Sequence, residues 1–316
     1  MSVSAAVAQS RPVGALELLK TNDRFRRLWT AQLISAGGDW FNNVALLGLV
    51  LHLTNSGFGA SLVIISSTTP QFFATPIAGP IVDRFDRRTI MIVTNLVSTV
   101  LALLFLLVHS ADNVWLIYAG SALLIISASF FGPAASASIP NVVSKDQLFA
   151  ANTLSGATWG IMAMVGSALG GLVAALFGRD AAFIINSISF LVAGAIIATI
   201  AIPSPKVERA ITPWRDFVDG LRYLRGYLPA VVMVAVKTGW GLAGGVIVLL
   251  SIFGTTVFRA GDAGIGLLYA ARGMGALVGP LIVQRVVGHH QTRLRQAVWI
   301  AFVCSGVGYL LFATAG

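Results

Sequence analysis

Residues Gly79 to Arg88 read Gly-Pro-Ile-Val-Asp-Arg-Phe-Asp-Arg-Arg, a short charged connection between two long apolar stretches. Asp83, Arg84, Asp86, Arg87 and Arg88 fill it, and Gly79 and Pro80 close the stretch before it. Five ionised side chains cost too much inside a hydrocarbon layer, so the turn belongs at a membrane–water boundary. A turn this short makes the flanking segments antiparallel and brings them close together.

The rest of the chain is apolar. Of its 316 residues 56% are hydrophobic and 10% charged, with a mean hydropathy of +0.84. A soluble domain carries about 25% charged residues. Repeated uncharged runs of about 20 residues predict transmembrane helices and argue against a soluble α/β protein. The alternating ten-residue strands of an outer-membrane barrel are absent. The expected fold class is therefore an all-α membrane protein, a polytopic helical bundle.

Working outward from the charged turn predicts nine spans. The first is Leu28 to Leu53, interrupted at Gly37-Gly38-Asp39, and the second is Phe58 to Val82, bent by Pro70, Pro76 and Pro80. The third to sixth are Thr89 to His109, Val114 to Ala135, Asn152 to Phe177 and Ala181 to Ile202. The seventh to ninth are Ala230 to Phe258, Ala263 to Val283 and Ala297 to Ala315. Residues 1–27 read as a polar tail with a short surface helix from Leu16 to Arg27, and they hold no signal-peptide core. Residues 28–202 form a six-helix half, 203–228 a linker, and 229–316 a second half with three spans. Within the linker Trp214, Phe217, Val218, Leu221 and Leu224 recur at helical spacing among arginines, which predicts an interfacial amphipathic helix.

Charge fixes the expected orientation. Seventeen lysines and arginines fall in the tail and in the loops after spans two, four, six and eight, while Arg179 and Arg259 alone fall on the other side. The positive-inside rule then places the amino terminus and the Asp83 loop in the cytoplasm. The net charge of +9 accordingly reads as attraction to anionic lipid rather than to nucleic acid. A shift of 200 residues lays Trp40 on Trp240 and Gly79-Pro80 on Gly279-Pro280, making the second half a parallel copy of the first.

The pattern Gly79-x-x-x-Asp83-Arg84-x-x-Arg87-Arg88, placed between spans two and three, resembles the loop 2–3 signature of the major facilitator superfamily. Asp86 stands where that signature usually has glycine, a variant similar to the drug, macrolide and siderophore exporter subgroup. Gly166-Ser-Ala-Leu-Gly170-Gly171 likewise resembles the exporter motif Gly-Pro-x-x-Gly-Gly, with Ser167 in place of proline. The resemblance implies two parallel six-span halves and close packing of spans five and eight between them, through these glycines and through Gly273, Gly275 and Gly279. It also implies that the acid matching Asp83 meets an eleventh span. Six plus three spans fall short of six plus six, so the expectation is either a fragment or truncated product, or remaining spans supplied elsewhere.

Apart from histidine, the ionisable residues inside predicted spans are Asp39, Lys237 and Arg272. A charge at mid-bilayer costs about 2.5–3.5 kcal/mol on insertion scales, so each needs a partner or a water-filled cavity. Asp39 lies about 16 Å into its span and is the candidate proton-carrying group, or else a structural acid held by Asn42 or Lys237. Lys237 faces a cavity or snorkels. Arg272 binds an anionic substrate or pairs with Asp39. Trp40, Trp159 and Trp240 are candidate cavity-lining aromatics, with lipid-facing or core packing as the alternative.

No enzymatic pattern is found. His52, His109, His289 and His290 lack metal-ligand spacing, Cys304 has no disulfide partner, and no P-loop or Gly-x-Ser-x-Gly is present. No cofactor or metal is expected. The expected function is proton-coupled efflux of a small amphipathic compound (a drug, macrolide or siderophore-like molecule) across a bacterial inner membrane by alternating access. A lipid or lysolipid transporter and a non-transporting truncated membrane protein are the alternatives.

Overall fold

The computed structural model describes residues 13–203, 213–242, 247–287 and 291–314. Helix follows helix throughout, with no strand among the described residues. The segment from Leu16 to Arg27, expected as one short surface helix, is divided between two helices. Helix α1 (Ala15–Thr21) stops at Asn22, and α2 (Asp23–Thr54) starts beyond it. The Asn22 side chain accepts from the Phe25 amide, which caps α2. Its Nδ2 donates to the Val142 carbonyl at 2.8 Å and to Gln147 Oε1 at 3.0 Å. Leu18, Phe25 and Leu28 are fully buried, so the segment from Leu18 to Leu28 is anchored in the bundle.

Helix α2 runs unbroken through Gly37-Gly38-Asp39, and α3 (Gly57–Arg84) runs unbroken through its three prolines. Intrahelical bonding and neighbouring helices carry both segments past residues that local propensity marks as breaks. Helix α4 (Arg87–Leu103) tightens into a 3₁₀ turn at Leu104–Leu107, ending before His109 and burying Phe105 against Gly120. Helix α5 (Trp115–Val142) continues past Ala135 through Pro140, because Ile139 and Val142 pack into the core that holds Leu18 and Phe25. The connection between the fourth and fifth spans therefore shrinks to five residues, Val143 to Gln147. Next come α6 (Leu148–Phe177) and α7 (Arg179–Ala198), joined at Gly178, whose φ of +86° favours glycine.

Beyond residue 212 lie α8 (Pro213–Gly226), α9 (Leu228–Leu242), α10 (Ile247–Ile252) with a π-helical turn at Phe253–Val257, α11 (Gly261–Val287) and α12 (Gln291–Ala313). The seventh span is thus described as two helices, with 243–246 outside the described residues. On α8 Arg215, Arg222 and Arg225 are exposed and Val218 and Leu224 half-buried. The side chains of Trp214, Phe217 and Leu221 lie outside the description, as do residues 204–212 and the His289–His290 pair.

Among the described residues, five stretches are long and apolar enough to cross a membrane: Arg87–Leu107, Ala111–Val142, Leu148–Phe177, Arg179–Ala198 and Gly261–Val283. Helices α2 and α3 have the length, but polar residues interrupt their apolar runs. Leu228–Gly239, Ile247–Val257 and Gln296–Leu311 are apolar but shorter. Exposed apolar side chains at helical spacing, such as Val93, Leu96, Val97 and Val100 on α4 and Leu169, Leu172 and Leu176 on α6, suit a hydrocarbon environment.

Two apolar cores sit at opposite ends of the bundle. One, at the Arg179 end, joins Val44 to Leu51, Phe105, Ile117 and Phe183 to Val248, Leu250, Ile265 and Tyr269. The other, at the Asp83 end, is built among the described residues from positions before 203 alone, including Phe25, Met91, Ile139 and Ile197. Among the described residues, the helices beyond the linker therefore join the core at the Arg179 end and not the one at the Asp83 end.

Candidate functional site

Helix α2 presents two different faces at mid-length. Asp39 lines a cavity of about 40 Å³ with Ser35, Thr94, Asn95, Ser98, Leu124, Ala128, Phe131 and Phe190, contributed by α2, α4, α5 and α7. It is exposed to solvent-sized space despite this central position. Among the described residues it pairs with neither Lys237 nor Arg272. The cavity wall is polar on the α4 side: Asn95 Nδ2 donates to the Met91 carbonyl at 2.7 Å and Ser98 Oγ to Ser127 Oγ at 3.1 Å.

One turn on, Asn42 is buried and its Oδ1 has no hydrogen-bond partner. Asn186 on α7 is fully buried with both amide atoms unpartnered. A Cβ on Gly38 would stand 2.6 Å from Asn186 Oδ1, so the carboxamide lies against the α2 backbone next to Asp39. Buried amides without partners are costly, and Asn186 was not singled out by the sequence because a lone Asn in an apolar run carries no spacing signal.

Trp40 points toward α6 and α11 instead. Its ring lies 5.9 Å from Trp159 and 5.9 Å from Tyr269, both edge-on. The Arg272 guanidinium carbon stands 5.4 Å from the Trp159 ring centroid, within cation–π range. The structure thus brings together Trp40, Trp159 and Arg272 and adds Tyr269. It leaves Asp39 on another face and Lys237 exposed on α9. The Trp240 side chain lies outside the described residues.

Helices α6 and α11 pack antiparallel at backbone distance. A Cβ on Gly171 would meet Gly266 Cα at 2.8 Å, and one on Gly273 would meet Ala163 C at 2.6 Å and Met164 N. Gly166 and Gly170 turn instead to α2, against Trp40 Cβ and Phe41 Cα, while Gly275 and Gly279 have none of the described residues within 4 Å. Across the end of this seam Arg179 Nε donates to Asp262 Oδ2 at 3.0 Å. Arg179 served the sequence reading only as a topology marker. Its status as one of two basic residues on that side, opposite an acid opening the eighth span, was the available signal.

At the other end, Asp86 Oδ2 caps α4 by accepting from the Thr89 amide at 2.8 Å. Arg87 donates to the Ala137 carbonyl at 2.7 Å and lies 3.8 Å from Asp83. Arg88 donates to the Ile197 and Ala198 carbonyls that end α7, a favourable place for a cation. Arg84 is exposed. The charged turn therefore ties α4 to the ends of α5 and α7.

Residues 17–312 match the family described as transmembrane secretion effector. The chain is 27% identical over 183 residues to the uncharacterized MFS-type transporter YfiS of Bacillus subtilis, covering 57% of this chain and 43% of that protein. It is 28% identical over 256 residues to the class C tetracycline resistance protein of Escherichia coli, covering 78% of this chain and 62% of that protein. The chain thus spans less than two thirds of the length of either relative. A crystal structure of a POT family transporter in complex with 5-aminolevulinic acid superposes with a TM-score of 0.58 at 8% identity, over 85% of this chain and 71% of that one. That likeness concerns the fold alone.

Proposed function

Because this chain belongs to the transmembrane secretion effector family of the major facilitator superfamily, we propose that it serves proton-coupled export of a small amphipathic compound by alternating access. The observation that carries the reading is Asp39, a carboxylate at mid-length of α2 that solvent-sized space reaches inside a cavity walled by four helices. A carboxylate at that depth is stable only with water or a proton. Its cavity opens both routes, so protonation is the natural event to tie to a change of access.

Charge distribution supports an orientation with the Asp83 end in the cytoplasm of a bacterial cell. The core at the Arg179 end then closes the outward side, while among the described residues the core at the Asp83 end draws on positions before 203 alone. Export requires the reverse arrangement as a second state. In the full-length protein, Asp39→Asn is expected to fold and insert normally but to lose efflux driven by a pH gradient. Full gradient-driven efflux by that variant at unchanged membrane abundance would remove proton coupling at Asp39 from the reading.

A further inference from the structure

The α4 wall of the Asp39 cavity consists of oxygens whose neighbouring protons are already committed elsewhere. Asn95 is 2% exposed, and its Nδ2 donates to the Met91 carbonyl. A carbonyl only accepts, so the orientation of this amide is fixed and Oδ1 is its unpartnered atom. Thr94 Oγ1 lies 2.9 Å from the Ile90 carbonyl and 3.0 Å from the Met91 carbonyl, so its proton stays on the helix. Ser127 Oγ donates to the Thr94 carbonyl at 3.1 Å, and Ser98 Oγ therefore donates to Ser127. All three α4 side chains that line the cavity have only lone pairs left to offer. From α2 come the Asp39 carboxylate and the hydroxyl of Ser35, 5% exposed, neither with a hydrogen bond among the described residues.

Lone pairs gathered around one negative charge favour a positive guest, and hard cations take oxygen ligands. The volume of about 40 Å³ admits an ion stripped of most of its water, since one water takes up about 30 Å³ of liquid. Carboxylate, carboxamide and hydroxyl oxygens then replace the lost hydration shell. One carboxylate balances one positive charge, whereas a divalent ion would leave a net charge inside the bundle. Among the described residues no second charge lines the site. Helices α5 and α6 carry none, and on α2 itself Asp23 to Arg27 and His52 stand near the ends. Arg87 and Arg88 open α4, Arg179 and Asp180 open α7, and Arg272 lies by Trp159 on the other face of α2.

We infer that the Asp39 cavity is a sodium site, in which sodium and the coupling proton take the same carboxylate in turn. The ion site follows from the geometry of α2 and α4, while its competition with the proton rests on the exporter reading. Bound sodium keeps Asp39 ionised and so opposes the protonation step.

The test uses the full-length protein in lipid nanodiscs and radioactive sodium, with choline chloride holding the ionic strength constant. Saturable binding of one sodium per chain is expected, with potassium competing at least tenfold less well. Binding should weaken as pH falls, because protonating Asp39 removes the charge that holds the ion. Asp39→Asn is expected to abolish saturable binding, and Asn95→Leu and Ser98→Ala each to weaken it at least threefold. No saturable binding by the parent protein overturns the inference, as does equal competition by potassium or binding indifferent to pH. Binding that survives in Asp39→Asn, or is unchanged in both α4 variants, overturns it too. The parent titration decides the matter should a variant fail to fold. Cellular efflux measured in parallel separates the two readings. Gradient-driven efflux without sodium binding sinks the sodium site alone, and sodium binding without gradient-driven efflux of any compound sinks the exporter reading and leaves the site.

Discussion

Arg179 and Asp262 face each other across the end of the α6–α11 seam, with Nε to Oδ2 at 3.0 Å and a second guanidinium nitrogen to Oδ1 at 3.3 Å. The carboxylate is nearly buried and rests on Gly48, where any Cβ would collide with Asp262 Oδ1. One ion pair thus joins the α6–α7 turn to the start of α11, and a glycine of α2 makes room for it.

Breaking that pair is expected to loosen the closed end. Arg179→Ala removes a pairing to a charged group whose net worth is about 1.5–3 kcal/mol, which corresponds to a roughly ten- to hundredfold rise in the open population. A cysteine replacing Ser251, fully buried beside Tyr269, should react faster with a polar maleimide in that background by a similar factor. Unchanged labelling would show that the apolar core alone holds this end shut.

The glycines of the α6–α11 seam should divide by geometry rather than by sequence. Gly273→Ala forces a methyl group into the Ala163–Met164 backbone, and overpacking of this kind costs about 1–3 kcal/mol. Gly275→Ala and Gly279→Ala meet none of the described residues within 4 Å and should not lower the thermal unfolding midpoint in detergent. Equal effects at all three positions would contradict the packing described.

The charged turn makes a comparable contrast. Arg87→Ala and Arg88→Ala each release carbonyls at the ends of neighbouring helices and are expected to destabilise by about 1.5–3 kcal/mol. Arg84→Ala, at an exposed position, should fall within about 0.5 kcal/mol of the parent. Unfolding midpoints in detergent order the three.

Asn22→Ala should be costlier than a tail substitution suggests. It removes the α2 cap, worth about 0.5–2 kcal/mol, and leaves the Val142 carbonyl without its donor. A lowered unfolding midpoint with unaltered membrane insertion is the expected result, and no shift would place the tail outside the cooperative unit.

Reading the sequence was sufficient for the membrane class, for most helix positions and for the family. These follow from apolar run length, charge placement and a motif whose residues are neighbours in the chain. Tertiary structure decided what no local pattern encodes: that α2 turns Asp39 and Trp40 to different helices, that Arg272 sits over the Trp159 ring, and that Arg179 meets Asp262. It also decided where helices truly end. Hydropathy stops α5 at Ala135, yet packing of Ile139 and Val142 against Leu18 and Phe25 carries it to Val142. Glycines that look alike in the sequence separate for the same reason: backbone approach is a property of two helices at once, and a single stretch of chain specifies only its own side of the contact.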